Sequence, residues 1–92
     1  MKHIYTYLYG QNRFHLSPYV ETDYNSTKGI ACFYQYIFGQ QVYMEIQKKD
    51  YDRLIALLSE GVEEAQLISF CNEQVIDAQQ FLLGMLKGCI IE

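Results

Sequence analysis

Apolar and polar residues alternate with a period of two in the first half of the chain and recur every three to four residues in the second. Strands are therefore predicted to precede helices. Over residues 3–9, His3, Tyr5, Tyr7 and Tyr9 fall on one side and Ile4, Thr6 and Leu8 on the other, the pattern of a half-buried strand. Gly10-Gln11-Asn12 has turn chemistry, and residues 13–20 continue with Phe14 and Leu16 on one side, completing a hairpin. Pro18 lacks a ladder donor, which makes this second strand an edge or ends it there. Residues 21–29 are polar and without a period, and read as the longest loop.

Residues 30–46, I-A-C-F-Y-Q-Y-I-F-G-Q-Q-V-Y-M-E-I, are the densest aromatic and β-branched run. They read as two strands joined by a two-residue turn at Gly39-Gln40, since glycine in the first position suits a type II′ turn. That turn sets Phe38 opposite Gln41, Ile37 opposite Val42, Tyr36 opposite Tyr43, Tyr34 opposite Glu45 and Phe33 opposite Ile46. One face then carries Phe33, Gln35, Ile37, Val42, Met44 and Ile46, and the other Tyr34, Tyr36, Phe38, Tyr43 and Glu45.

Beyond the hairpin, Tyr51, Leu54, Ile55 and Leu58 have helical spacing, with Asp50 placed to cap the start and Gly61 the end. Residues 65–71 are a short apolar segment compatible with strand or helix, and their length and position between two capped helices favour a strand. Asp77-Ala-Gln-Gln80 forms a capping box ahead of Phe81, Leu82, Leu83, Met85 and Leu86, and Gly88 is the stop. The tail, residues 89–92, is apolar enough to add an edge strand. The order β-β-β-β-α-β-α implies an α+β fold, a small, mainly antiparallel sheet with two helices packed on one face.

Size and charge narrow the picture. Ninety-two residues, half of them apolar and a fifth charged, make one globular domain over residues 1–92. Seven Lys and Arg against eleven Asp and Glu give a net charge of −4, and the basic residues are scattered, so a nucleic-acid backbone is repelled more than attracted. Three cysteines without C-x-x-C spacing argue against a disulfide framework and a zinc site. No apolar run reaches the roughly 18 residues of a membrane helix, and the alternating N-terminus is no signal peptide. A reduced, cytoplasmic protein is expected, with no membrane and no nucleic acid among its partners.

Catalytic chemistry has little to stand on. His3 and His15 have no carboxylate at ligand spacing, Cys89 has only Lys87 near it, and no nucleophile elbow or phosphate loop occurs. Glu60, Glu63, Glu64, Glu73 and Asp77 make the C-terminal half locally acidic, a pattern common on solvated surfaces. The anomaly is tyrosine: nine of them, several on strand faces. Tyrosine suits an interface because it offers a large, stiff contact area with one polar tip that tolerates water.

The expected function is therefore a non-catalytic protein-binding module of inhibitor or adaptor type, with no cofactor and no metal. In general character alone it resembles toxin-immunity proteins and phage-encoded blockers of host defence. The expected contact surface is Tyr34, Tyr36, Phe38 and Tyr43, with Tyr5 and Tyr7 beside them and Glu45 at the rim. An alternative is a structural module whose tyrosine face closes a two-fold homodimer. A less favoured one is a small-ligand site between the 21–29 loop and the sheet, using His3 or His15.

Overall fold

A computed structural model describes residues 13–92, and the strand expected over residues 3–9, with His3, Tyr5 and Tyr7, lies outside them. The fold is α+β. Its elements are β1 (Arg13–Phe14), β2 (Val20–Asn25), β3 (Ile30–Gln35), β4 (Gln40–Glu45), α1 (Lys48–Glu60), β5 (Val62–Glu63), α2 (Glu64–Glu73) and α3 (Ala78–Lys87). Strands β2, β3 and β4 form an antiparallel sheet in that order, and β1 pairs with β5 in a second, two-stranded one.

Strand β2 occupies what reads from the sequence as a polar loop. Its inward positions are Val20, Thr22 and Tyr24, and its outward ones Glu21, Asp23 and Asn25, so the alternation is present but muted by Thr22. Thr22 is tolerated inside because the Tyr51 hydroxyl of α1 donates to its Oγ1 at 2.8 Å, while the Tyr24 hydroxyl donates to the Ile46 carbonyl at 2.7 Å. The Tyr24 and Tyr51 rings lie 5.1 Å apart, so these two tyrosines join the packing under the sheet and are not contact residues.

The β3–β4 hairpin also departs from its expected register. Gln35 faces Gln40, Tyr34 faces Gln41, Phe33 faces Val42 and Ala31 faces Met44, a displacement of four residues from the two-residue turn. Because four is even, every strand residue stays on the face its alternation assigned. Tyr36, Ile37 and Phe38 leave the strands and become the turn.

The inward face, Ala31, Phe33 and their neighbours, packs on Tyr51, Leu54 and Leu58 of α1, Leu67 and Phe70 of α2, Met85 of α3, and Ile90. Each of these fully buried large side chains contributes roughly 1.5–3 kcal/mol through loss of apolar surface to water. The helix starting near Asp50 begins earlier than expected: Gln47 is its N-cap and Asp50 lies buried in the first turn, where a carboxylate complements the helix dipole. Gly61 ends it with φ 92°, as its position suggested.

Residues 65–71 are helical, not a strand. Glu63 and Gln66 close a reciprocal capping box, and Leu67, Phe70 and Cys71 are buried at i, i+3 and i+4. The short strand between helices is Val62–Glu63 instead, which pairs with Arg13–Phe14. Helix α3 starts where expected, its cap Asp77 accepting from the Gln80 N–H at 3.1 Å. Gly88 ends it at φ −82°, so its role is space: a Cβ there would lie 3.3 Å from the Gly84 carbonyl, Ile90 and Val42. The tail does act as an edge segment, since His15 and Glu92 exchange main-chain hydrogen bonds at 2.9 and 2.8 Å and Leu16 bridges Ile91.

Candidate functional site, the outer sheet face and its two turns

Opposite the helices, the sheet carries Glu21, Asp23 and Asn25 on β2, Ile30, Cys32 and Tyr34 on β3, and Gln41, Tyr43 and Glu45 on β4. Among the described residues this face holds three carboxylates and no Lys, Arg or His. Tyr34, on the central strand, is half-buried, whereas Tyr43 is 61% exposed and its hydroxyl donates to Gln41 Oε1 at 2.9 Å. Tyr34 and Tyr43 stand on adjacent strands at diagonal positions, within ordinary reach of two aromatic side chains.

Each hairpin of the sheet closes with a four-residue turn, and the two turns share one construction. In the first, Ser26-Thr27-Lys28-Gly29, Asn25 Oδ1 accepts from the Thr27 and Lys28 N–H groups, both at 3.0 Å. In the second, Tyr36-Ile37-Phe38-Gly39, Gln35 Oε1 accepts from the Ile37 and Phe38 N–H groups at 2.7 and 3.1 Å. Both end on glycine in the left-handed region, Gly29 at φ 67° and Gly39 at φ 69°, where a side chain is strained. Gln35 is 2% exposed, so the second turn is fixed from within the core, and this pinning is why the expected two-residue turn does not form.

The side chains of the two turns are opposite in character. The first turn is polar and lies beside a cleft of about 850 Å³ bordered by Lys28, Lys49, Arg53, Glu45, Asp50 and Glu73, an end of mixed charge where Arg53 pairs with Glu73. Nearby, the Lys48 ammonium is held above its usual pKa by its hydrogen bond to Asp52. The second turn exposes Tyr36, Ile37 and Phe38, the last 63% open, with exposed Tyr19 alongside. The Tyr36 N–H donates to the Tyr19 carbonyl at 3.2 Å, and the two rings meet edge to face at 6.2 Å.

Of the residues singled out from the sequence, the structure brings Tyr34, Tyr43 and Glu45 to one face and sets Tyr36 and Phe38 at its end as a tip. Tyr19 and Ile37 were missed. Tyr19 follows Pro18 where a strand was expected to stop, and Ile37 was assigned to the buried face by the two-residue turn. Residues 20–25, expected within a 21–29 loop, are a strand of the sheet, and the cleft beside Tyr24, Lys28 and Gly29 is not lined by His15, while His3 lies outside the described residues. His15 is exposed, and its ring fills the space where a Cβ on Gly61 would stand.

Among the described residues no three His, Cys, Asp or Glu side chains gather closely enough to hold a metal ion, and no helix is long and apolar enough to cross a membrane. Cys71 is buried, and desolvation raises its thiol pKa, the opposite of an activated nucleophile. Comparison with family models, curated proteins and solved structures finds no match for the chain.

Proposed function

We propose that this chain is a non-catalytic protein-binding module of inhibitor or adaptor type, whose contact surface is the aromatic tip Tyr36-Ile37-Phe38 with Tyr19, continued onto the outer face by Tyr34, Tyr43 and Glu45. The observation that carries this reading is the internal control supplied by the two turns. Ser-Thr-Lys-Gly adopts the same construction as Tyr-Ile-Phe-Gly, so the backbone makes no demand for apolar side chains at the second. Exposing three large apolar groups on a turn held rigid by a buried amide loses little flexibility on binding, which favours a concave apolar site on a partner.

Charge argues for a protein over a lipid surface. Glu21 and Asp23 share the outer face with the tip's end of the sheet, while Lys28 and Lys49 lie with Glu45 at the far end, so an anionic bilayer finds no basic residue of the sheet at the tip among the described residues. A partner pocket with Arg or Lys at its rim fits both features, since Arg stacks on tyrosine and pairs with carboxylate.

The test is affinity capture from lysate of the native cell by the full chain and by the triple variant Tyr36→Ser, Ile37→Thr, Phe38→Lys. The expected result is a stoichiometric partner protein held by the wild type and by Ser26→Ala at the polar turn, and lost by the triple variant. Undiminished capture by the triple variant overturns the reading.

A further inference from the structure

Within the described residues β4 is an edge strand, and the direction of its main-chain groups is fixed. The Ile46 N–H donates to the Gly29 carbonyl at 3.0 Å, one step beyond the Ile30–Glu45 pair. Even-numbered residues of β4 therefore turn their N–H and C=O towards β3, and Gln41, Tyr43 and Glu45 turn theirs away from the sheet. The strand has neither Lys nor Pro, the usual defences of an open edge. Beside it runs a cleft of about 330 Å³ between Val42–Glu45 and the apolar side chains Ile76, Phe81 and Met85.

The geometry points to a second copy of this chain as the occupant, paired antiparallel along β4 about a two-fold axis at Tyr43. A two-fold axis perpendicular to the sheet keeps each face on its own side, so only residues of like parity can stand opposite one another. With Tyr43 opposite its counterpart, Gln41 meets Glu45 of the second copy and Val42 meets its Met44. Both Tyr43 and the Gln41–Glu45 pair then exchange main-chain hydrogen bonds, because these are the residues whose groups point outward. On the outer face each carboxylate meets a neutral amide, and on the inner face the apolar pair extends the cleft floor.

The opposite edge excludes the same operation. Pairing β2 with its own copy sets Glu21 against Asp23, or one of these acids against itself, in every central register. One edge of the sheet repels itself and the other complements itself. Joining β4 to β4 doubles the sheet and merges two outer faces into one surface with an aromatic tip at each end, an arrangement independent of what the tips bind.

Sedimentation velocity of the full chain across a concentration series tests this. The wild type is expected to dimerise. Gln41→Glu creates a like-charge pair twice across the axis and is expected to weaken the dimer about tenfold, with Glu45→Lys added to it restoring the affinity. Tyr43→Pro removes an outward N–H without touching the β3 ladder and is expected to abolish the dimer with circular dichroism unchanged. The triple tip variant should dimerise like the wild type. A wild type that stays monomeric overturns the proposal, including the case where slow amide exchange at Gln41, Tyr43 and Glu45 shows another strand on the edge. So does a dimer insensitive to Gln41→Glu.

Discussion

The two turns of the β2–β3–β4 sheet differ in almost nothing except the side chains they expose. Each is four residues long, follows a residue whose side-chain amide accepts from the second and third N–H groups beyond it, and ends on a glycine at nearly the same positive φ. One presents Ser26, Thr27 and Lys28 to water, and the other Tyr36, Ile37 and Phe38. The difference separates what a turn needs from what a surface does. Glycine and the pinning amide are requirements of the backbone, and the three apolar residues are not.

That comparison is sharpened first at the pins. Asn25 is exposed and Gln35 is buried, so loss of the side-chain acceptor has unequal consequences. Gln35→Leu leaves the Ile37 and Phe38 amides without their acceptor and is expected to cost about 2–3 kcal/mol, whereas water replaces the acceptor in Asn25→Ala, for about 1 kcal/mol or less. Urea unfolding midpoints of the two variants give the ordering, and equal losses would contradict a core-anchored second turn.

The glycines give the next largest effect. Gly39→Ala meets no atom within 4 Å, and Gly29→Ala meets only ordinary contacts with Tyr24 and the Ile46 carbonyl. Both substitutions therefore report left-handed strain alone, about 1 kcal/mol each and the same within error. Thermal unfolding of both variants is the measurement, and a clear inequality would mean that the two turns are not one device. Smallest is the stability change in the triple variant Tyr36→Ser, Ile37→Thr, Phe38→Lys. It is expected within about 0.5 kcal/mol of the wild type, because all three side chains are exposed and the Tyr36–Tyr19 ring contact lies at the surface. A large destabilisation in the same unfolding assay would make the tip part of the fold's support instead of a contact surface.

Why some of this was legible in the sequence and some not follows from the same elements. Alternation alone assigned Tyr34, Tyr43 and Glu45 to the outer face, and it survived a wrong register because the error was an even number of residues. The register itself depended on Gln35, whose side chain closes a turn ending on Gly39 that sequence pattern cannot distinguish from a tighter one beginning on the same glycine. Strand β2 was hidden by Thr22, a polar residue in an inward position whose hydroxyl accepts from Tyr51, 29 residues further on. Helix α2 was obscured because its capping box opens on Glu63, a residue type seldom used as an N-cap. Tyr51, read from its helical spacing as part of the apolar stripe, does pack inward, and Tyr24 joins it between the helix and the sheet.

The clip between residues 15–17 and 90–92 also sets the order in which the molecule is completed. Sheet β2–β3–β4 is made from neighbouring hairpins and closes over short loops, whereas Arg13–Phe14 must wait for Val62–Glu63, and Leu16 for Ile91. Synthesis from the N-terminus therefore delivers the segment around Leu16 long before its last partner exists, and the hairpins have time to form while it is still unattached.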